Sequence, residues 1–208
     1  MKKEKILEAA EELFAEKGYE GTSVRDIANR AGVNIAMISY YFGSKEKLLE
    51  SLIQYRAGYT SDLLDALKKS PDDDPVHKIE KVIDLYVDRI LTHHRFHNIM
   101  SRQLSMISEK NIKNQMIEIK KQNLEIIKKI IEEGQRKKIF RKVDIELTVA
   151  SIVGTISQVT LSKSFYCQLM HIPEISFDEY SIRIKNRVKK HLKKLIITYL
   201  TCENEEHS

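Results

Sequence analysis

The sequence predicts an all-α protein, and three observations carry that prediction. Proline and glycine are scarce, three and seven among 208 residues, so little stands in the way of long helices. Apolar residues recur at helical spacing over most of the chain, and no strand pattern can be read beside them. No internal repeat and no low-complexity tract interrupts this periodicity. About seven to ten helices fit, short ones first and long ones after.

Each element has its own signal. Ile6, Ala10, Leu13 and Phe14 share one face of a first helix, and Gly18 is a natural left-handed end to it. Ser23, with Asp26 three residues on, matches a capping box for a helix over about 24–31. Gly32 breaks that helix, Asn34 can cap another over 35–42, and Gly43-Ser44 resets the chain. A long fourth helix carries Leu48, Leu49, Leu52, Ile53, Leu63, Leu64 and Leu67. The clearest punctuation is Ser70-Pro71-Asp72-Asp73-Asp74-Pro75, where Asp74 can cap and Pro75 suits a first helical position. Helical patterns follow at about 76–93, 95–107, 109–138, 144–170 and 178–202, with Pro173 separating the last two.

Composition excludes several classes. Hydrophobic residues at 42% and charged residues at 31% suit a soluble globular chain, and no run of about 18 apolar residues spans a membrane. The basic start Met1-Lys2-Lys3-Glu4-Lys5 leads into a charged helix and not into an apolar signal core, so a cytoplasmic protein is expected. Cys167 and Cys202 are too few for a disulfide framework or a zinc site and read as small core or interface residues. No phosphate loop, nucleophile elbow or helical zinc-protease motif is present, and no enzyme or cofactor is expected. The net charge is +5, yet the first 56 residues balance nine basic against nine acidic side chains. The surplus lies in 110–142 and 183–194, so bulk charge makes no case for nucleic acid.

The case rests on a motif. A helix-turn-helix needs a small residue at the helix crossing, a turn residue tolerant of positive φ, and apolar residues that pin both helices. Ala28 is the small residue, Gly32 the turn, and Ile27, Ala31, Val33, Ile38 and Tyr41 stand at inward-facing spacings. Spacing alone leaves an ordinary pair of core helices with a glycine turn open. The flanks go further. Gly18-Tyr19-Glu20-Gly21-Thr22-Ser23-Val24-Arg25-Asp26-Ile27-Ala28, then Ala31-Gly32-Val33, then Ile38 through Leu49 (Ile-Ser-Tyr-Tyr-Phe-Gly-Ser-Lys-Glu-Lys-Leu-Leu) resemble the N-terminal signature of the tetracycline-repressor (TetR/AcrR) family. The match covers about residues 5–55. The rest of the chain resembles the family only in size and helical character.

The resemblance implies an N-terminal three-helix helix-turn-helix DNA-binding domain, residues 1–47, joined by a long helix to a larger helical ligand-binding and dimerisation domain, residues 48–208. It implies that helix 35–42 enters the major groove of double-stranded DNA while helix 24–31 crosses the backbone. At matching positions Thr22, Ser23, Tyr41 and Lys45 look like phosphate ligands, and Arg25 can reach backbone or base. Lys45→Ala is then expected to weaken binding to all sequences alike. Base readout falls to Asn34, Ile35, Ala36, Met37, Ser39 and Tyr40. With no arginine or lysine on that helix, the expectation leans to A·T-rich half-sites, thymine methyls meeting Ile35, Ala36 and Met37 and an adenine pairing with Asn34. Ile38 and Phe42 read as core.

In the larger domain the resemblance implies two tasks, enclosing a small-molecule effector and pairing subunits into a homodimer on a palindromic operator. The last two helical patterns are the natural dimer elements, with Leu161, Phe165, Leu169, Ile184, Val188, Leu195, Tyr199 and Leu200 as seam candidates. Lysines and arginines of 183–194 read as a solvated face beside that stripe. Tyr86, His97, Met100, Gln103, Met106, Gln158 and Phe165 are the pocket candidates. His93, His94 and His97 lack a completing cysteine or carboxylate and read as a polar helix junction, not a metal site. The sequence names no effector. A repressor released by effector binding, through linkage between the two domains, is the mechanism expected.

Overall fold

A computed structural model describes residues 2–70, 74–103 and 110–201, apart from the side chains of Tyr59, Arg102 and Gln103. The described residues form helices and connecting turns, with no strand among them. The elements are α1 (Lys2–Lys17), α2 (Val24–Ala31), α3 (Ile35–Phe42), α4 (Lys45–Lys69), α5 (Pro75–Thr92), α6 (His94–Asn98), a π-helical turn Ile99–Gln103, α7 (Lys110–Arg136), α8 (Ile145–Leu161), α9 (Lys163–Leu169) and α10 (Phe177–Thr201). No single helix among the described residues is long and apolar enough to cross a membrane.

Helix ends follow the local code. Gly18, Gly32 and Gly43 all take positive φ, +80°, +64° and +82°. At Gly32 the left-handed cap lets the Val33 N–H return to the Ala28 carbonyl at 3.0 Å, closing α2. Asp74 accepts from the Val76 N–H at 3.0 Å and so caps the helix that Pro75 opens.

Two compact units emerge. The first comprises residues 1–59 and 93–120. Its core gathers Ile6, Leu13 and Phe14 of α1, Ile27 and Ala28 of α2, Ile38 and Phe42 of α3, and Leu48, Leu49, Leu52 and Ile53 of α4. Phe96, Ile99, Met100, Ile112 and Met116 complete it. Each large aliphatic or aromatic side chain buried this way contributes about 1.5–3 kcal/mol. An ion pair between Arg56 Nε and Glu11 Oε2, 2.7 Å and largely buried, ties α4 to α1.

The second unit comprises residues 60–92 and 121–208. α5, α8 and α10 supply most of its core, with Ile127, Ile130 and Ile131 of α7 and Phe140 beyond it. Tyr180 is fully buried and donates its hydroxyl to the Val159 carbonyl at 2.9 Å. Lysines on one flank of α10 meet acids of α5: Lys189 reaches Asp88 at 2.8 Å and Lys193 reaches Asp84 at 2.7 Å. Part of the basic run is therefore neutralised within the unit.

Several expectations change here. The compact units divide at 59/60, because the first half of α4 belongs to the core of the first unit. Residues 93–120 join that unit too, although they follow α5 in sequence, since Phe96, Ile99 and Met100 find their apolar neighbours there. The pattern at 95–107 becomes the short α6 and a π-helical turn, and its end lies outside the described residues. The pattern at 144–170 breaks at Ser162 (φ −110°, ψ 37°), with α8 and α9 bent by 83°. That bend buries Cys167 in the core of the second unit, while Lys163 reaches the Ile175 carbonyl across the following loop. Cys202 lies outside the described residues. Of the seam candidates, Ile184, Val188 and Leu200 are buried within the subunit, whereas Phe165, Leu169, Leu195 and Tyr199 are exposed.

Candidate nucleic-acid interface

The site is built from α2, α3 and the turns on either side. Ser23 caps α2 through a complete capping box: its hydroxyl accepts from the Asp26 N–H at 3.1 Å, and the Asp26 carboxylate accepts from the Ser23 N–H at 3.0 Å. These hydrogen bonds from Ser23 hold the Asp26 carboxyl below its ordinary range. An ionised Asp26 also suits the positive end of α2. Arg30, in the last turn of α2, forks onto α1 with Glu12 at 3.0 Å and Glu16 at 3.2 Å. Hydrogen bonding to Arg30 lowers the Glu16 carboxyl correspondingly.

α3 is held from beneath by Ile38 and Phe42, which are 1% and 5% exposed. With those two pinned, the opposite face is free. Ile35, Ala36, Ser39, Tyr40 and Tyr41 are exposed, Tyr40 by 83%, and Met37 is half-buried. The Tyr40 and Tyr41 rings meet edge-on at 5.2 Å. Arg25 on α2 is exposed as well. Two rings, two aliphatic side chains, a hydroxyl and one guanidinium thus form a surface that can meet base edges and phosphates.

Two expectations are corrected by this geometry, and two further candidates are placed by it. Thr22 is not available to a phosphate: it is 1% exposed, and its hydroxyl donates to the carbonyls of Leu13 at 3.1 Å and Gly18 at 2.7 Å. It staples the α1–α2 turn instead. Asn34 is exposed, but its Oδ1 already accepts from the Ala36 N–H at 2.9 Å as the cap of α3. A two-pronged pairing with adenine needs that oxygen and the amide nitrogen together, so the cap and the pairing compete. Tyr41 faces outward, 37% exposed, and not toward the scaffold. Met100, a pocket candidate, is 9% exposed among the core residues of the first unit.

Lys45 is held by the turn before α2. Its ammonium donates to the carbonyls of Tyr19 at 3.0 Å and Thr22 at 3.2 Å and lies 4.2 Å from the centre of the Tyr19 ring. Two of its three protons are therefore committed to the turn, which leaves one for a phosphate. Lys45→Met keeps the stem and removes the charge. We expect it to lower affinity for operator and unrelated duplex by one common factor and to reduce the salt dependence by about one phosphate, in titrations at several salt concentrations. Loss confined to one base pair would contradict a backbone role.

The remaining pocket candidates are divided between the two units. His97 is half-buried in the first unit, with Ser101 Oγ at 3.4 Å from its Nε2. Tyr86 is buried in the second, while Gln158 and Phe165 are exposed. The Gln103 side chain and Met106 lie outside the described residues. Among the described residues no group of three histidine, cysteine or acidic side chains is placed to hold a metal. A residue that sequence reasoning passed over is Arg89, which carries a cation into the second unit. Only its position three residues beyond Tyr86, on one face of a helix, could have signalled it.

Comparison with known proteins agrees with this geometry. A family model described as "Bacterial regulatory proteins, tetR family" matches residues 6–52, and one described as "Tetracyclin repressor-like, C-terminal domain" matches residues 72–161. The fatty acid metabolism regulator protein of Bacillus subtilis is 30% identical over 155 residues, covering 74% of this chain and 78% of its own. The probable HTH-type transcriptional regulator YttP of the same organism is 26% identical over 192 residues, covering 88% and 92%. Among solved structures, the regulator FadR from Bacillus subtilis in complex with stearoyl-CoA superposes with a TM-score of 0.70 at 25% identity, covering 95% of this chain and 98% of its own. The regulator PfmR from Thermus thermophilus superposes with a TM-score of 0.73 at 21% identity, covering 95% and 96%. The matched head includes every element of the exposed α2–α3 surface, and the chain belongs to the TetR family of DNA-binding transcriptional regulators.

Proposed function

We propose that this regulator is a cytoplasmic repressor that binds a palindromic operator as a homodimer and is released by a small-molecule effector. The observation that carries the reading is the outward face of α3, where Ile35, Ala36, Ser39 and Tyr40 are exposed while Ile38 and Phe42 hold the helix from behind. A head of eight-residue helices with so much apolar and aromatic surface is suited to a groove that supplies thymine methyls and base edges. Arg25 is the one guanidinium in position to read guanine, and Ser23, Tyr41 and Lys45 are the backbone contacts.

Support for pairing comes from the second unit. Leu147, Phe165, Leu169, Ile182, Leu195 and Tyr199 are exposed, by 40–76%, on α8, α9 and α10. Beside Leu195 and Tyr199 lies an open groove of about 590 Å³, lined also by Arg141, His191, Lys194 and Thr198. Apolar side chains presented on consecutive helices suit a two-fold four-helix contact. Two heads so joined would address successive major grooves about 34 Å apart. α4 begins in the first unit and ends in the second, so an effector that favours another spacing can act on the heads through it. The relative solved with stearoyl-CoA supports a small-molecule effector of this kind. Because coupling is reciprocal, operator DNA must weaken effector binding by the same factor.

Selection of binding sites from random duplex DNA at about physiological salt tests the reading, since contacts to phosphate alone fade there. Enrichment of a two-fold symmetric, A·T-rich half-site is the expected result. Failure to enrich any sequence, with folded protein, would overturn sequence-specific regulation by this head.

A further inference from the structure

The second unit holds a cation for which the described side chains provide no anion. Arg89 lies on α5 among residues of the apolar core, between fully buried Ile90 and the Asp88 that pairs with α10 on another face. Its Nη1 donates to Oγ1 of Thr60, 3.1 Å away on α4, and its guanidinium carbon lies 5.5 Å from the centre of the Tyr86 ring. Among the described residues no carboxylate pairs with it; Asp84 and Asp88 are engaged by Lys185, Lys189 and Lys193 of α10, and Asp65 by Lys69. Burial pushes the Arg89 guanidinium below the usual arginine value, and the electrostatic interaction with Tyr86 offsets this only in part.

The groups around it are donors too. Thr60 is 0% exposed, and its oxygen is the acceptor in the contact with Arg89, which leaves its hydroxyl proton to give. Tyr86 is 6% exposed, and its hydroxyl makes no hydrogen bond among the described residues. Burial pushes the Tyr86 phenol above its ordinary pKa, so it stays protonated. Tyr86 and Arg89 are three residues apart and share one face of α5. Among the described residues only one of the five N–H donors of the guanidinium is seen to be engaged. Arg89 is half-buried; partly desolvating a charge without a counter-ion is costly, and such a site is poised to receive one. One turn away on each helix stand Leu64 and Val82, both 0% exposed.

We propose that Arg89, Tyr86 and Thr60 form an anchor for the oxyanion of an amphiphilic effector, an apolar molecule ending in a carboxylate or a phosphate. The guanidinium fork grips two oxygens, the phenol and the threonine hydroxyl complete the shell, and the apolar body packs against neighbouring aliphatic side chains. This deepens the reading of the chain as an effector-released regulator and rests on it for its biological meaning. The binding itself is tested without DNA.

Thermal unfolding of the full chain, alone and with dodecanoate, dodecyl phosphate or dodecanol, is the experiment, repeated on Arg89→Met. The anions are expected to raise the midpoint more than the alcohol, with an affinity preference of roughly tenfold or more for a charge-assisted pair. Dodecanoate alone would mark a carboxylate effector, dodecyl phosphate alone a phosphate. Arg89→Met should abolish the preference, yet without ligand it should unfold at the same or a higher temperature, because a half-buried charge with no carboxylate partner has gone. A variant that melts several degrees lower and keeps the anion preference would overturn the anchor and leave Arg89 a structural residue. Equal shifts with all three probes, or none with either anion, would overturn it as well. Neither result depends on the operator selection, so the two readings can fail separately.

Discussion

Glu133→Ala is expected to destabilise the protein by about 3–5 kcal/mol, the cost of leaving a buried charge without its partner. Lys78 is 1% exposed, and its ammonium meets Glu133 Oε2 at 2.9 Å from α5 to α7. Lys137, just past the end of α7, holds the other carboxylate oxygen at 2.6 Å, but that pair is largely open to water and adds little. At about 2–4 °C per kcal/mol for a chain of this size, the unfolding midpoint should fall by roughly 10 °C. Lys78→Met in the Glu133→Ala background should restore most of it, because a buried ion pair replaced by apolar side chains is often neutral. If the double variant is no better than the single one, the loss comes from packing and not from the stranded ammonium.

The same pair sets an acid limit. Hydrogen bonds from Lys137 and then Lys78 hold the Glu133 carboxyl below its ordinary value of 4.5. A carboxylate whose folded pKa is depressed contributes stability that is fully present above the unfolded value and is lost as pH falls through the folded one. The gap between parent and Glu133→Ala should therefore be constant near neutrality and shrink below about pH 4.5. A gap unchanged down to about pH 3 would show that the charge of Glu133 does not matter.

Gly134→Ala is expected to destabilise the protein by about 1–3 kcal/mol, although the same change inside an ordinary helix stabilises by about 1 kcal/mol. A Cβ built on Gly134 falls 2.1 Å from Cδ2 of Phe140. The ring cannot swing away cheaply, since Phe140 is 4% exposed in the core of the second unit. Nor can the turn relax, since the N–H groups of Ile139 and Phe140 both donate to the Gly134 carbonyl, at 2.9 and 3.1 Å. Gly134→Val should cost more. In a double-variant cycle with Phe140→Ala the penalty of Gly134→Ala should vanish, leaving the helix preference visible. A stabilised Gly134→Ala in the parent chain would show that the ring repacks freely.

Much of the head was legible because its determinants are local. The capping box of Ser23 and Asp26, the left-handed Gly32 and the inward Ile38 and Phe42 are set by residues within a few positions of one another, and the structure has all of them. The site was less legible where one group has two possible partners. Asn34 is both a natural cap and a natural adenine reader, and the backbone N–H of Ala36 has the amide oxygen. Thr22 carries a hydroxyl of the right type for a phosphate, but only the fold brings the Leu13 carbonyl to within 3.1 Å of it.

Local chemistry along the chain was enough for the all-α class, the order of the helices and the helix-turn-helix, because 3.6-residue periodicity, caps and positive-φ glycines act over a turn or two. Packing in three dimensions was needed to bring residues 93–120 into the head unit, to turn the chain by 83° at Ser162, and to set Phe140 against Gly134. Packing likewise chose which apolar face of α10 is buried, with Ile184, Val188 and Leu192 inside and Leu195 and Tyr199 outside. These outcomes depend on partners tens of residues away, and apolar spacing states that a face will be buried without stating against what.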